Sequence, residues 1–128
     1  MKRILILLAL TLPLAACKTV STSAPPPPPL TGSCNPADAD MFKTLIFVQG
    51  SLLNLNATIK ADETSDPNTA SILKPYAQNV AVDYNIAEAA WQGYHAACLA
   101  NPSLSPASAQ AAVNKVSTDM QTLPGGAK

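Results

Sequence analysis

Residues 73–98, LKPYAQNVAVDYNIAEAAWQGYHAAC, carry the pattern that decides the fold. Apolar side chains recur in this stretch at alternating spacings of four and three residues, at Leu73, Ala77, Val80, Tyr84, Ala87, Trp91, Tyr94 and Cys98. This repeat forms one apolar seam along an α-helix, as in helices that pack against other helices. Pro75 either lies in the first turn of this helix or kinks a preceding helix. The pair Asn101-Pro102 ends the helix.

A second segment, earlier in the chain, repeats the seam. It runs through Met41, Leu45, Val48, Leu52, Leu55 and Ile59. Either Asn35 or Asp38 is expected to cap its start, where an acidic side chain is favourable. The seam fades near Asp62, and residues 62–68 are predicted to form a turn.

A third, shorter segment is predicted to start with Ser105 as cap and Pro106 as first helical residue. Its seam is Ala109, Val113, Val116, Met120 and Leu123. Three seams without strand signals predict an all-α fold: an antiparallel three-helix bundle in which a long helical hairpin packs with a shorter third helix. The bundle is expected over residues 34–123, and residues 124–128 are expected to be a disordered tail.

The amino-terminal residues have the composition of an export signal. Lys2 and Arg3 give it a positive start, and residues 4–14 are mostly apolar. This apolar stretch is too short for a permanent membrane helix, which needs about 20 residues to span about 30 Å of hydrocarbon. Residues 1–16 are therefore predicted to be a signal peptide.

The signal ends in Leu14-Ala15-Ala16-Cys17, which resembles the lipobox of bacterial lipoproteins. The resemblance implies cleavage between Ala16 and Cys17. It also implies a diacylglycerol thioether and an N-acyl lipid such as palmitate on Cys17, a stable anchor when two or three chains are present, and no other cofactor. Lys18 is not the Asp that favours inner-membrane retention, so the resemblance implies the outer membrane, facing the periplasm. The alternative is an ordinary secretory signal followed by an accidental cysteine.

Residues 17–33 are predicted to form a disordered, lipid-anchored tether rich in proline. Pro25–Pro29 should adopt polyproline II, at about 3.1 Å per residue. The tract is interpreted as a stiff spacer that holds the bundle off the membrane. The alternative is a docking peptide for an aromatic groove or for cell-wall material.

After export, Cys34 and Cys98 are the two remaining cysteines, in a compartment that oxidises thiols. Cys34 precedes the first helix and Cys98 ends the second, and these points meet in a hairpin of helices about 38 and 42 Å long. We therefore predict a Cys34–Cys98 disulfide, worth roughly 4 kcal/mol for a loop of this length. Metal ligation or a catalytic thiol is the alternative, without a CxxC pair to support it.

The charge balance excludes nucleic acid as a partner. Loss of Lys2 and Arg3 leaves six basic residues against eight acidic ones, a net charge of −2. Binding to phosphates requires clustered Lys and Arg.

The sequence gives no indication of catalysis or of a metal site. His95 is the only histidine, so it lacks a second nitrogen ligand for zinc, and no GxSxG motif accompanies it. It is predicted to be a surface or half-buried side chain. The acidic residues Asp62, Glu63 and Asp66 lack an EF-hand pattern, and Asp83 and Glu88 are five residues apart, on different faces. A solvated turn and a solvated helix face are the expectation for both groups.

Two groups of apolar residues are candidate interaction surfaces. Phe42, Ile46 and Leu53 lie on one flank of the first helix, beside its seam. The third helix either covers this flank or, being shorter, leaves part of it or Phe47 exposed as a site for a partner or for self-association. The aromatic group Tyr84, Trp91 and Tyr94 is interpreted as core by its seam spacing, with a binding platform as the alternative.

These features predict a membrane-anchored, periplasm-facing lipoprotein with a structural or protein-interaction role in the cell envelope. Its partner would be an envelope protein, the cell wall or a second copy of itself. The alternative is a phage- or prophage-derived envelope factor acting in lysis or superinfection. The mature part resembles short helical lipoproteins of unknown function found in such settings, and its proline tract resembles that of the outer-membrane subunit of phage spanins, which is usually shorter.

Overall fold

The computed structural model describes residues 32–122, which form three α-helices and no strand. Helix α1 spans Pro36–Ser65, α2 spans Pro67–Ala100 and α3 spans Ala107–Gln121. With 30, 34 and 15 residues, their lengths are about 45, 51 and 23 Å. The predicted all-α bundle, a long hairpin with a shorter third helix, is confirmed. Several predicted features lie outside the described residues: the signal peptide, the cleavage and lipidation site at Ala16 and Cys17, the proline tract, and residues 123–128.

The predicted seams are the core. Every seam position within the described residues is buried, and Ala70 and Ala81 join them. The largest fully buried side chains are Trp91, Tyr84, Leu45 and Leu52. The aromatic group on α2 is therefore core, as its spacing predicts, because the two turns of a heptad return it to the same side of the helix.

The turn between α1 and α2 is much shorter than the predicted turn over residues 62–68. A single residue, Asp66, separates the helices. Its backbone N–H donates to the carbonyl of Asp62, ending α1, and its carboxylate accepts from the N–H and hydroxyl of Thr69, capping α2. The two hydrogen bonds from Thr69 to its carboxylate, that of the hydroxyl above all, hold the pKa of Asp66 below its ordinary value. Pro67 suits the first helical position because no helical N–H bond is required there.

Ion pairs and hydrogen bonds show how the helices face each other. Near the turn, Lys74 of α2 lies 2.9 Å from Glu63 of α1. On another side of α2, Asp83 lies 2.7 Å from Lys115 of α3.

The start of α3 differs from the prediction by one residue: Pro106 precedes the helix, and the N–H of Ala107 donates to the Ser105 hydroxyl at 3.4 Å. None of the helices within residues 32–122 is long and apolar enough to cross a membrane.

Pro75 lies inside α2, at an exposed position, rather than in its first turn. Proline in a helix interior is about 3 kcal/mol less favourable than alanine, since it removes a backbone hydrogen bond and crowds the preceding turn. Proline also lowers the conformational entropy of the unfolded chain, which offsets up to about 1 kcal/mol of this cost. We expect Pro75→Ala to raise the free energy of unfolding by about 2 kcal/mol in urea denaturation.

Pro67→Ala is the matched control, because Pro67 occupies the first position of the same helix. It should give no such gain. Equal effects of the two substitutions would contradict the assigned cost of Pro75.

Candidate functional site

A buried carboxylate lies where α1 begins and α2 ends. The side chain of Asp38 has no solvent-exposed surface. Its Oδ1 accepts the indole N–H of Trp91 at 2.9 Å, and its Oδ2 accepts the backbone N–H of Cys34 at 3.1 Å. Asn35, rather than Asp38, caps the helix, since its side-chain oxygen accepts the Asp38 N–H at 3.0 Å. The Asp38 carboxylate therefore accepts from α2 and from the chain just before α1.

His95 is the third side chain on this carboxylate. Its Nδ1 lies 2.7 Å from Oδ2 of Asp38, and its side chain is 14% exposed. With the proton on Nδ1, the imidazole donates to the carboxylate, and Asp38 fixes its orientation. The ring also stacks on Trp91, with centroids 5.3 Å apart. The predicted half-buried histidine is thus part of a polar cluster, which we call the Asp38 cluster (Asp38, Trp91, His95).

The disulfide predicted between Cys34 and Cys98 is present beside the Asp38 cluster, with 5.8 Å between the two Cα atoms. Asn35 connects it to its surroundings: its Nδ2 donates to the Tyr94 hydroxyl at 2.7 Å and to the Cys98 sulfur at 3.2 Å. The Tyr94 hydroxyl in turn lies 3.5 Å from the carbonyl oxygen of Leu104. One end of the bundle is therefore joined by a covalent bond and a polar network together.

The Asp38 cluster contains an Asp–His pair, as an Asp-His-nucleophile arrangement does. The polar contacts of Asp38, however, connect the start of α1 with the end of α2. Each polar contact of Asp38 is made to α2 or to the residues just before α1. Among residues 32–122, no group of three or more His, Cys, Asp and Glu is placed to hold a metal ion.

Sequence reasoning missed this cluster, although a signal was present. Asp38 precedes Met41 by three residues, so it continues the seam of α1 into the core. His95 follows Trp91 by four residues, which places both side chains on one side of α2. The spacing therefore places Asp38 in line with the seam of α1 and His95 beside Trp91 on α2, but which side chains meet depends on how the two helices pack.

Glu88 also departs from the expected solvated face. It is 7% exposed and lies one residue beyond the seam position Ala87. Burial raises the pKa of its carboxyl above the ordinary value, while a hydrogen bond from Gln92 at 3.1 Å opposes that rise. Burial and, to a smaller extent, the negative charge of Glu88 raise the pKa of the Tyr84 hydroxyl. Asp83 is separate from Glu88, as predicted, and pairs with Lys115.

Glu88→Gln is expected to stabilise the protein at neutral pH. Because the folded-state pKa is raised, folding takes up a proton, and Glu88 lowers stability as the pH rises above about 4.5 through the folded-state pKa. Gln has the same shape, accepts the same bond and carries no charge to desolvate. The gain in unfolding free energy should be on the order of 1 kcal/mol at pH 7 and vanish near pH 4.

Urea denaturation across that pH range checks this prediction. Glu63→Gln is the control, since the side chain of Glu63 is 49% exposed and its ion pair should contribute less than about 1 kcal/mol. A pH-independent effect of Glu88→Gln would show that the charge of Glu88 is not the cause.

The outer face of α1, opposite its seam, carries exposed apolar residues. Ile46 is 44% exposed, Phe47 63% and Leu53 51%. We define the α1 face as these three residues together with the exposed Gly50 and Ala57. Phe47 is the most exposed large apolar side chain described, so this face is where the bundle departs most from a polar surface.

Phe42 does not belong to the α1 face. Its ring packs on Trp91 with centroids 5.2 Å apart, and it is half-buried against the core. Phe42 therefore packs against α2 and not against α3, whereas Ile46 and Leu53 of the same flank stay exposed, in line with the alternative that part of the flank is left open. Phe47 lies on the other side of α1, at a depression of about 370 Å³ shared with Met120 of α3.

Gly50 lies at the centre of the α1 face. A glycine in a helix interior costs about 0.5–1 kcal/mol relative to alanine. Such a glycine is often explained by a neighbouring group that leaves no room for a Cβ atom. A Cβ atom at Gly50 would meet nothing within 4 Å. Nothing within this bundle requires glycine there. The outer face of α2 has a similar residue, Gly93, with open space around it.

The other large apolar side chains that are exposed within residues 32–122 lie on α2 and in the following loop, namely Ile72, Val82, Ile86, Leu99 and Leu104. None of them is aromatic, and aromatic side chains are the ones enriched at protein interfaces. The α1 face is therefore the stronger candidate surface. No protein-family model, curated protein or solved structure matches the chain.

Proposed function

We propose that this chain is a lipid-anchored protein of the bacterial envelope that acts by binding a protein through the α1 face, without catalysis. The observation that carries the proposal is the exposure of Ile46, Phe47 and Leu53 on one helix face. Exposed apolar residues that cluster on a rigid element mark binding surfaces more often than isolated ones.

The surroundings of the α1 face support this role. The helix beneath it is fixed by a buried seam on its other side and by the disulfide at its start. A rigid helix that presents an aromatic anchor loses little conformational entropy when it binds. The apolar positions are bordered by charged residues, Lys43 and Lys60, as in an apolar centre with a polar rim.

The lipobox Leu14-Ala15-Ala16-Cys17 supports the anchored location. An acylated Cys17 would hold the bundle near the outer membrane, facing the periplasm, on the proline-rich tether. Anchoring raises the local concentration of a binding surface near its partner, so a modest affinity suffices. The Asp38 cluster supports a non-catalytic role because its polar groups bind one another.

The anchor is tested by fractionating cells that express the full chain and by labelling them with a palmitate analogue. The wild type should carry label and partition with the outer membrane. Cys17→Ala should lose both properties, whereas the Cys34→Ala/Cys98→Ala double variant should remain labelled. An unlabelled wild type would refute the lipoprotein assignment.

The surface is tested with a photo-cross-linking residue placed at Phe47 in the full chain, with Ile86 of α2, 57% exposed, as the control position. Irradiated cells should give a discrete protein adduct from position 47 and none from position 86. The same adducts from both positions, or none from either, would contradict a binding role for the α1 face.

A further inference from the structure

We infer that the Cys34–Cys98 disulfide is a site of thiol–disulfide exchange with a fixed direction: a dithiol reductant attacks the sulfur of Cys34, and Cys98 leaves as a thiolate. The inference goes beyond the proposed function, because it concerns the end of the bundle where α1 begins and not the α1 face. In the resting protein the disulfide is closed and supports the fold. The groups around the two sulfurs decide which of them is attacked and which one leaves.

The sulfur of Cys98 lies among hydrogen-bond donors that a closed disulfide does not require. The side-chain amide of Asn35 donates to it at 3.2 Å, and the hydroxyl oxygen of Tyr94 lies 3.4 Å from it. A neutral sulfur is a weak acceptor, whereas a buried thiolate needs donors that compensate for the loss of water. Because Cys98 is fully buried, these two groups supply what a departing thiolate requires.

The hydroxyl of Tyr94 can serve both states of this sulfur. Its oxygen lies 3.5 Å from the carbonyl oxygen of Leu104 and 3.4 Å from the sulfur of Cys98. The amide of Asn35 donates to the same oxygen at 2.7 Å, which leaves the proton of the hydroxyl for one of the two acceptors. Since a hydroxyl proton rotates to suit its surroundings, it can donate to the carbonyl while the disulfide is closed and turn to the sulfur when the thiolate forms.

The surroundings of Cys34 are the opposite of those of Cys98. Cys34 is half-buried, whereas Cys98 is inaccessible to solvent. The backbone N–H of Cys34 donates to the carboxylate of Asp38 at 3.1 Å, and a negative charge close by disfavours a thiolate. In thiol–disulfide exchange the accessible sulfur is attacked and the better stabilised thiolate leaves. Both criteria assign the attack to Cys34 and the departure to Cys98.

The reaction requires a second thiol on the attacking molecule. The first thiolate forms a bond to the sulfur of Cys34, and the electron pair of the broken S–S bond leaves on Cys98, which takes up a proton. Cys98 stays within reach, with 5.8 Å between the two Cα atoms, so it expels a single thiol again. In a dithiol, the second thiolate attacks the first sulfur and closes an internal disulfide, and Cys34 leaves and is protonated. Two electrons and two protons thus pass from the dithiol to the chain.

Exchange at this bond makes the closure of the bundle depend on the supply of dithiols. The bond joins positions that are 64 apart in the chain and fixes the residues before α1 to the end of α2. Its reduction leaves only the polar contacts of Asn35 and Asp38 to hold this end. The disulfide is therefore a redox-sensitive joint at the point where the chain enters the bundle.

The direction of exchange is tested on the purified full chain with reduced glutathione as the attacking thiol. The mixture is quenched with acid, and the free thiols are alkylated after unfolding. Peptide masses then show which cysteine carries glutathione. The adduct should lie on Cys34, with Cys98 alkylated, in about tenfold excess or more over the reverse arrangement. An excess on Cys98, or equal amounts, would overturn the inference.

The donors are tested by the rate at which dithiothreitol reduces the folded full chain. Asn35→Ser keeps an oxygen that can cap α1 but lacks the amide donor, and Tyr94→Phe lacks the hydroxyl. Each variant should lower the second-order rate constant of reduction by about tenfold, because the leaving thiolate loses a hydrogen bond. A purely structural role predicts the opposite sign, since a loosened bundle exposes the bond to the reductant. Unchanged or faster reduction in the two variants would contradict the inference.

Tyr76→Phe is the matched control, because it removes a hydroxyl from the same helix. The Tyr76 hydroxyl is buried and has no hydrogen-bond partner among the described residues. This variant should change the rate constant by less than about twofold. An effect as large as that of Tyr94→Phe would show that the Tyr94 hydroxyl does not act on the sulfur.

The need for a dithiol is tested by comparing the two reductants at equal thiol concentration. Dithiothreitol should open the bond completely, whereas glutathione should leave most of the chain oxidised. Complete reduction by glutathione would contradict the dithiol requirement. These measurements are made on the chain alone, so their failure would leave the photo-cross-linking test of the α1 face, and with it the proposed function, unaffected.

Discussion

Asp38→Ala is expected to lower the free energy of unfolding by about 2–5 kcal/mol, because it leaves several donors without their acceptor, at about 1–3 kcal/mol for each buried one. The carboxylate is inaccessible to solvent and accepts from Trp91, from the Cys34 N–H and from His95. The substitution leaves the indole and backbone donors buried without an acceptor and the imidazole without its orienting partner. Because a domain of this size has about 5–15 kcal/mol in total, the loss is a large share. Urea denaturation followed by helical circular dichroism measures it.

Two variants separate the buried network from a general effect of removing an acid from the start of α1. Asp40→Ala removes a carboxylate two residues away that is 76% exposed, and should cost no more than about 0.5 kcal/mol. Asp38→Asn keeps one acceptor oxygen and should cost about 1–3 kcal/mol. If Asp38→Ala and Asp40→Ala cost the same, the Asp38 cluster does not hold this end of the bundle.

Removal of the Cys34–Cys98 disulfide is the second large expected effect. The Cys34→Ala/Cys98→Ala double variant should lose about 4 kcal/mol of unfolding free energy, because the unfolded chain gains the freedom of a long loop. For a domain of this length, the loss corresponds to a fall in Tm of about 15–30 °C. Thermal denaturation of the double variant beside the oxidised wild type measures this change.

Reduction of the wild type with dithiothreitol should reproduce the same fall in Tm without any substitution. This control matters because Cys98 is fully buried, so replacing it by Ala also removes packing atoms. Intact-mass measurement under non-reducing conditions should find no free thiol in the exported protein. Two free thiols, or a fall of only a few degrees on reduction, would contradict a structural disulfide.

The fold was predictable because its information is local and periodic. The spacing from Met41 to Ile59 and from Leu73 to Cys98 fixes which side of each helix is apolar, and apolar faces must pack together. The disulfide followed from the same register, since two antiparallel helices of similar length bring Cys34 and Cys98 to one end. Helix ends were less predictable. A turn was expected over residues 62–68, but Asp66 both ends α1 and caps α2, so a single residue separates the two helices.

The candidate surface was only partly predictable. The sequence places Phe42, Ile46 and Leu53 on one flank of α1, but it does not state which neighbouring helix covers which part. The structure shows Phe42 packed on Trp91 of α2, and Ile46, Phe47 and Leu53 left exposed. Coverage depends on the lateral position of the third helix, which no periodicity within α1 encodes.

The sequence by itself determined three helices, their buried seams and the cysteine pair that closes the hairpin, because each follows from spacing along the chain. Only the tertiary structure decided that Asp38 and Glu88 are buried, that His95 binds Asp38, and that the outer face of α1 stays exposed. Each of these facts depends on what another helix places opposite a given residue. Desolvation and hydrogen-bond pairing act between residues far apart in the chain, as for Asp38 and Trp91, 53 positions apart. A one-dimensional pattern therefore specifies the faces, and the packing of those faces decides which polar groups become buried and paired.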